Sequence, residues 1–347
     1  MLRKELFREE LRSLSRKSRL KKQLLRSIKA SPETFWELIP EQDSSLKELV
    51  NELEGLIRDG VIEYKNNKFL LKSSTELEPR QNVRCDYCSG SGLKIDNAFE
   101  EALRKFEKLT ENRPLPIAEY DQGLMHPVYL AKKAAFMYER GDIEGEEIIV
   151  LGDDDLFSLY AALTDLPEKI TVIELDDRIT GFIKKIAAKE NMKIEVLKKD
   201  LSRPPGILEE SFTVFVSEPP ESLLGLKMFV RAGMSTIKNR GAGYVGLTTL
   251  ESSLSKWLSF EEWLLSNNAV ITDILRDFSM YPEDINKWSD FYSAYPLMKE
   301  TDFKLNIPES DWYASSLLRI EKVERESFDE EDIYMDEETI VTPGKGN

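Results

Sequence analysis

Four apolar runs, EEIIVL (146–151), ITVIEL (170–175), KIEVLK (193–198) and FTVFVS (212–217), alternate with stretches that read as helices beginning near Leu156, Arg178 and Ser222. Strands joined by helix-length connections cross over and pair in parallel, and the sheet so formed is covered on both faces. Later apolar segments at 244–250, 269–275 and 315–323 extend the expected sheet to about seven strands. The fold class expected is therefore α/β, with a Rossmann-like, mostly parallel sheet. The aromatic-rich stretch from Tyr281 to Trp312 reads as an insertion.

Ahead of the sheet, LKELVNELEGLIRDGVIEYKNNKFLL (46–71) sets Leu46, Leu49, Val50, Leu53, Leu56 and Ile57 at helical spacing, then two short strands turning at Asn66-Asn67. This is the outline of a winged helix. A DNA reader needs a basic helix before the wing, and this one carries Glu48, Glu52 and Glu54 against Lys47 and Arg58. A structural or dimerising role is expected. The polar, glycine- and serine-rich KSSTELEPRQNVRCDYCSGSGLK follows as a linker. The expected division is an N-terminal winged-helix-like domain (1–80), a linker and helical approach segment (81–145), a Rossmann-like catalytic domain (146–323) and an acidic tail (324–347).

The formal charge of −16 is unevenly spread: residues 1–29 hold eleven Lys or Arg against three Glu, and 321–347 hold ten acids against three bases. A solvated basic helix and a loose acidic tail are expected, with a meeting of the two across a dimer as the alternative. The acidic remainder opposes nucleic acid as a substrate, because phosphate neutralisation needs clustered Lys and Arg. It suits a cationic ligand. No apolar run approaches the roughly 18 residues of a membrane span, and the N-terminal MLRKELFREELRSLSRK has no apolar core for a secretion signal; a cytoplasmic setting is expected. The 32% of charged residues, with a single histidine and few glutamines, suggests a heat-adapted source.

Ligands of open α/β sheets bind beyond the carboxyl ends of the strands. Here those ends are acidic: Gly152, Asp153, Asp154 and Asp155 follow the first, Glu174, Asp176 and Asp177 the second, Asp200 the third, and Glu218-Pro219-Pro220-Glu221 the fourth. Glu174 lies 22 positions after Gly152, close to the spacing at which an acid receives a ribose diol. Asp200 would then lie near the base. Loops that hold a pyrophosphate or a methionine carboxylate use several glycines, since backbone N–H groups must approach an anion. Three aspartates would repel either group and attract an ammonium. The site therefore calls for a nucleoside with a cationic tail beside a second cationic ligand.

In SEPPES the two prolines remove backbone donors, so the acids and free carbonyls offer only acceptors, as an amine requires. The segment is similar to the Asp-Pro-Pro-Tyr loop of amino-methyltransferases, with Glu218 in place of Asp or Asn and without the aromatic that would stack a flipped base. Cys85 and Cys88, the only cysteines, form a CxxC. A zinc site from one chain would have to recruit carboxylates or His126, two chains could combine their cysteines, and a disulfide between the pair is a further option. Two ordinary thiols are the expectation, and His126 is expected to be structural.

GDDD after the first strand, IELDDR after the second, EPPES after the fourth, YDQG ahead of the sheet and CDYC after the winged-helix-like start resemble the branched-chain polyamine synthases, the N(4)-bis(aminopropyl)spermidine synthase family of thermophiles. The resemblance spans nearly the whole chain. It implies transfer of aminopropyl groups from decarboxylated S-adenosylmethionine to the central nitrogen of spermidine, with methylthioadenosine released and no metal or redox cofactor required. It further implies Asp155 as the base, with Asp153 and Asp154 toward the donor ammonium or the polyamine arms. Gly152, Glu174, Asp176 and Asp200 fall on the donor side, and Glu218, Pro219, Glu221, Tyr120, Asp121 and Gln122 on the acceptor side. A homodimer is also implied.

Two other readings remain open on the residues. An S-adenosylmethionine-dependent amino-methyltransferase shares the class I methyltransferase-like sheet and the proline pair, but predicts glycines at 152–155. A polyamine-sensing regulator would bind DNA through the winged helix, against which the acidic helix 46–58 counts.

Overall fold

The computed structural model describes residues 17–72, 77–80, 85, 88, 92–202, 208–283 and 301–327. The basic residues 1–16, most of the linker, residues 284–300 of the insertion and the acidic tail from 328 lie outside the described residues. At the start, α1 (Lys17–Ala30), α2 (Phe35–Leu38) and α3 (Leu46–Arg58) precede a hairpin of β1 (Ile62–Lys65) and β2 (Lys68–Leu71). Helix α3 begins where a capping box sets it: the Ser45 side chain accepts from the Glu48 amide while Glu48 accepts from the Ser45 amide. The hairpin turns at Asn66 and Asn67, both left-handed at φ 53° and 61°, the geometry of a two-residue turn that asparagine tolerates.

Helices α4 (Asn97–Thr110) and α5 (Pro127–Arg140) lead into the sheet. There follow β3 (Glu147–Leu151), α6 (Phe157–Leu163), β4 (Lys169–Glu174), α7 (Asp177–Glu190), β5 (Ile194–Lys198) and β6 (Phe212–Ser217). The chain then forms α8 (Leu223–Thr236), β7 (Ile237–Leu247), α9 (Leu254–Ser266), β8 (Ala269–Met280) and β9 (Ala314–Lys322). The sheet order is β5-β4-β3-β6-β7-β9-β8. Its first five strands are parallel, and β9 is antiparallel to both β7 and β8. This is the expected Rossmann-like, methyltransferase-like sheet. Both faces are covered because alternate residues of β3 enter different cores, Ile148 and Val150 on one side and Ile149 and Leu151 on the other.

Two strands exceed their expected lengths. Strand β7 starts at Ile237 rather than 244, its register with β6 shifting between Phe212 and Val214 near the left-handed Arg240. Strand β8 runs to Met280 across Arg276 and a left-handed Asp277, where its register with β9 also shifts. The insertion is partly a packing element: Phe303, Leu305 and Trp312 join the core of α1, α2 and α3.

Candidate active site

Strand β3 pairs with β4 on one side and β6 on the other, so the sequential strand order reverses at its carboxyl end and a crevice opens there. The turn that follows is bounded by two left-handed residues, Gly152 at φ 70° and Leu156 at φ 63°. Leucine resists this conformation; here its side chain is fully buried, which holds it in place. Asp153, Asp154 and Asp155 are consequently presented in different directions.

A cavity of about 170 Å³ opens at this end of the sheet, against Asp154 and Asp155, Glu218 and Pro219 after β6, and Gly246 on β7. Glu221, Glu251, Asp121 and Glu283 bring its carboxylates to seven, and among the described residues no lysine or arginine lines it. Tyr281, Trp312 and Tyr313 form an aromatic wall. Tyr281 meets Tyr313 edge-on at 5.3 Å, and the Trp312 indole donates to Glu283 over 3.0 Å. Carboxylates beside aromatic faces make a binding site for organic cations.

The first two carboxylates are tied by backbone amides of the YDQG region. Gly123 N donates to Asp154 over 2.8 Å, and Met125 N to Asp155 over 2.7 Å. Burial, reinforced by the neighbouring Glu218, pushes the Asp155 carboxyl up to about 6, against the lowering pull of Lys133. Enclosure and then Asp155 raise Asp154 well above the carboxylate range. Burial lifts Glu221 to about 7, although Ser252 Oγ and Thr248 N donate to it over 2.6 and 2.9 Å. Burial, Glu218 and Asp155 also hold the Tyr281 phenol well above its ordinary value.

Glu218 is gripped from two sides. The buried Lys133 ammonium on α5 lies 2.5 Å from Oε1, and the Tyr281 hydroxyl is 3.4 Å from Oε2. A Cβ on Gly246 would overlap this carboxylate. Arg113 donates to the Asp154 carbonyl, so a guanidinium stands behind the aspartate turn.

The cavity thus brings together Asp121, Gln122, Asp154, Asp155, Glu218, Pro219 and Glu221. Gly152, Glu174 and Asp176 form a second group beside it. Gly152 N donates to the Ile173 carbonyl on β4 over 2.9 Å. Glu174 accepts from the amides of Asp153, Leu175 and Asp176. Asp176 caps α7, with Gln122 Nε2 donating to it over 3.0 Å. Burial would raise Asp176, but the hydrogen bonds from Arg178 and Gln122 hold it below the ordinary value. Gln122 therefore links the two groups.

Two residues are placed otherwise than expected. Asp153 turns inward, its carboxylate accepting from the Ser158 amide and hydroxyl, and burial raises it to about 7; it holds the start of α6 instead of facing a ligand. Tyr120 lies near Arg178 and Lys198 and does not line the acceptor cavity. Asp200 follows β5 at the expected strand end and is exposed, its side chain accepting from Ser202 N over 2.8 Å. Cys85 is exposed and Cys88 half-buried, with no disulfide between them. His126 precedes α5 and pairs with Asp311 at 2.6 Å, joining the helix to the insertion.

Sequence reasoning missed Lys133, Tyr281, Trp312, Tyr313, Glu251 and Glu283. Lys133 carried a signal: it sits in LAKKAAF, and its buried position is one lysine takes only when paired. Tyr281 and Trp312 stood in the segment read merely as an insertion, and Tyr313 directly follows it.

Residues 101–343 match the family model of the branched-chain polyamine synthase A C-terminal domain. The chain is 34% identical over 331 residues to an N(4)-bis(aminopropyl)spermidine synthase of Methanocaldococcus jannaschii, covering 89% of this chain and 91% of that one. To the Thermus thermophilus protein of the same name it is 35% identical over 295 residues, covering 84% and 83%. The crystal structure of the Thermus thermophilus branched-chain polyamine synthase in complex with N4-aminopropylspermidine and 5′-methylthioadenosine superposes with a TM-score of 0.79, at 33% identity and 89% coverage of each chain.

Proposed function

The chain belongs to the branched-chain polyamine synthase family, and from that premise we propose that it moves aminopropyl groups from decarboxylated S-adenosylmethionine to the secondary nitrogen of spermidine. N4-aminopropylspermidine and then N4-bis(aminopropyl)spermidine form, and 5′-methylthioadenosine leaves. The observation that carries this reading is the cavity with seven carboxylates, an aromatic wall and, among the described residues, no basic lining residue. A polycation is its complement. The decarboxylated donor suits the aspartate turn because it lacks the anionic group that the turn would repel.

The chemistry is displacement at the carbon attached to sulfonium. The amine lone pair forms the C–N bond, the C–S pair returns to sulfur, and a neutral thioether departs. Each transfer needs one proton removed beforehand: the secondary ammonium must become an amine, and the tertiary ammonium it yields must lose its proton before a second attack gives a quaternary nitrogen. Asp155 is the proposed acceptor of that proton. Its carboxyl, lifted by burial to about 6, is a better base than an ordinary aspartate near 4. The leaving group is already good, so alignment and an unprotonated nitrogen are the enzyme's main contributions.

Asp154, Glu218, Glu221, Asp121 and Gln122 are the proposed holders of the polyamine arms. Gly152, Glu174 and Asp176 form the donor side, with Asp200 toward the adenine. Asp153 adds negative charge behind the turn, and no step calls for a metal or redox cofactor. The division into an N-terminal winged-helix-like domain (1–80), an approach segment, a catalytic domain (146–323) and a tail belongs to the same reading. A homodimer, a cytoplasmic setting and a heat-adapted host complete it. Incubation with spermidine and either intact or decarboxylated donor, followed by mass analysis of polyamines, tests the reaction. Branched product from the decarboxylated donor alone is expected; methylated product from the intact donor would overturn it.

A further inference from the structure

Lys133 is a lysine that the proposed reaction does not use. Its side chain on α5 is 1% exposed, and it does not line the cavity. Burying an ammonium is costly unless an anion pairs with it, and the anion here is Glu218 at 2.5 Å. Glu218 in turn occupies space left by the missing side chain of Gly246 and follows directly into Pro219-Pro220, which stiffens its backbone. The result is a carboxylate held at a fixed place on the cavity wall by a cation behind it.

We propose that Lys133 is a positioning residue: by pairing with Glu218 it holds that carboxylate at one place on the cavity wall, and so lets Asp155, at the neighbouring strand end, ionise beside it. Two carboxylates sharing a cavity without a counter-ion hold one proton between them. Among the described residues, Asp121, Glu221, Glu251 and Glu283 line the same cavity as this pair, and further titratable groups come from the elements packed around it. Lys133 comes from α5, Arg113 from the loop after α4, Asp153 and Asp154 from the turn after β3, and Tyr281 from just past β8, with Glu174 of β4 behind Asp153 and Asp154 and Tyr313, just before β9, behind Tyr281. Of these, Lys133 and Arg113 are the cations, and only Lys133 touches a carboxylate of the pair. Its removal leaves the second proton on the pair to a higher pH. Acceptor nitrogen then meets a protonated acid.

The inference rests on the cavity being the polyamine site, and a charge cycle separates the two. Parent, Lys133→Met, Glu218→Gln and the double variant are compared by spermidine calorimetry from pH 5 to 9 and by the pH profile of kcat/KM. In Lys133→Met the acid limb of both profiles moves upward by about one to three pH units, and kcat at the alkaline plateau falls roughly tenfold to a hundredfold because Glu218 is no longer held. Glu218→Gln moves the limb downward, and adding Lys133→Met to it moves the limb back toward the parent position, with turnover still low. This second edge of the cycle reads the same effect if the single lysine variant does not fold. A limb that stays put along both edges, with losses in thermal stability alone, makes Lys133 a packing residue and overturns the inference. Spermidine that fails to bind the parent at any pH overturns the site reading instead.

Discussion

The amide of Met125 donates to the Asp155 carboxylate across 2.7 Å, so the segment before α5 orients an acid supplied by the turn after β3. The same carboxylate lines the cavity. Asp155→Asn keeps the size of the side chain and removes its ability to take a proton. Turnover should fall by about 10²–10⁴-fold, while binding of methylthioadenosine, measured by calorimetry, changes little. Near-normal branched-product formation would remove the base assignment.

Gly246 leaves the room that the Glu218 carboxylate occupies. Gly246→Ala should displace that carboxylate, the flexible end of its side chain, and leave the strand in place. Activity is expected to fall tenfold or more as an order of magnitude, with a stability loss of about 1–3 kcal/mol. Steady-state kinetics beside a denaturant titration decide it: a variant with native kcat/KM shows that the position of Glu218 is immaterial.

The site is stressed by its own charge, with a defined pH signature. Burial raises Asp155 to about 6, and Asp153 and Glu221 to about 7, above their unfolded values near 4. Folded protein then binds more protons than unfolded protein between those limits. These groups contribute stability that is complete below pH 4 and is lost as the pH rises through about 6 to 7. Part of the loss is offset when a polyamine neutralises the ionised carboxylates. Spermidine should therefore raise the thermal midpoint more at pH 8 than at pH 5 in low salt, with proton release on binding near pH 6 to 7. An equal shift at both pH values contradicts this.

The sheet was legible in the sequence because buried parallel strands must be nearly continuous apolar runs, and FTVFVS occupies its expected limits of 212–217. The acids at the strand ends were legible for the same reason: topology sends the ends of β3 and β6 to one crevice. Side-chain direction was not. Asp153 differs from Asp154 and Asp155 only through the twist of a turn closed by a left-handed Leu156, which no local propensity announces. Tyr281 and Trp312 were hidden because their contacts with Glu218, Glu283 and Trp36 cross long chain separations.

Trp312 serves both the cavity and the N-terminal core: it lines the former, and its ring lies 4.7 Å from Trp36. Trp36 is itself fixed by an indole donor bond of 2.7 Å to the Asn306 carbonyl. Through these contacts the first helices support the aromatic wall although they supply no residue to the cavity. Trp36→Phe keeps an apolar ring while removing the donor and part of the contact, at a stability cost of about 1–2 kcal/mol. The acceptor KM should rise several-fold, roughly 1 kcal/mol of lost wall packing, with donor affinity unchanged because the groups around Glu174 and Asp176 lie elsewhere. Separate titrations of spermidine and methylthioadenosine distinguish the outcomes. Equal weakening of both ligands would mean that Trp36 supports the whole fold, and an unaltered acceptor KM would mean that the wall stands without the N-terminal core.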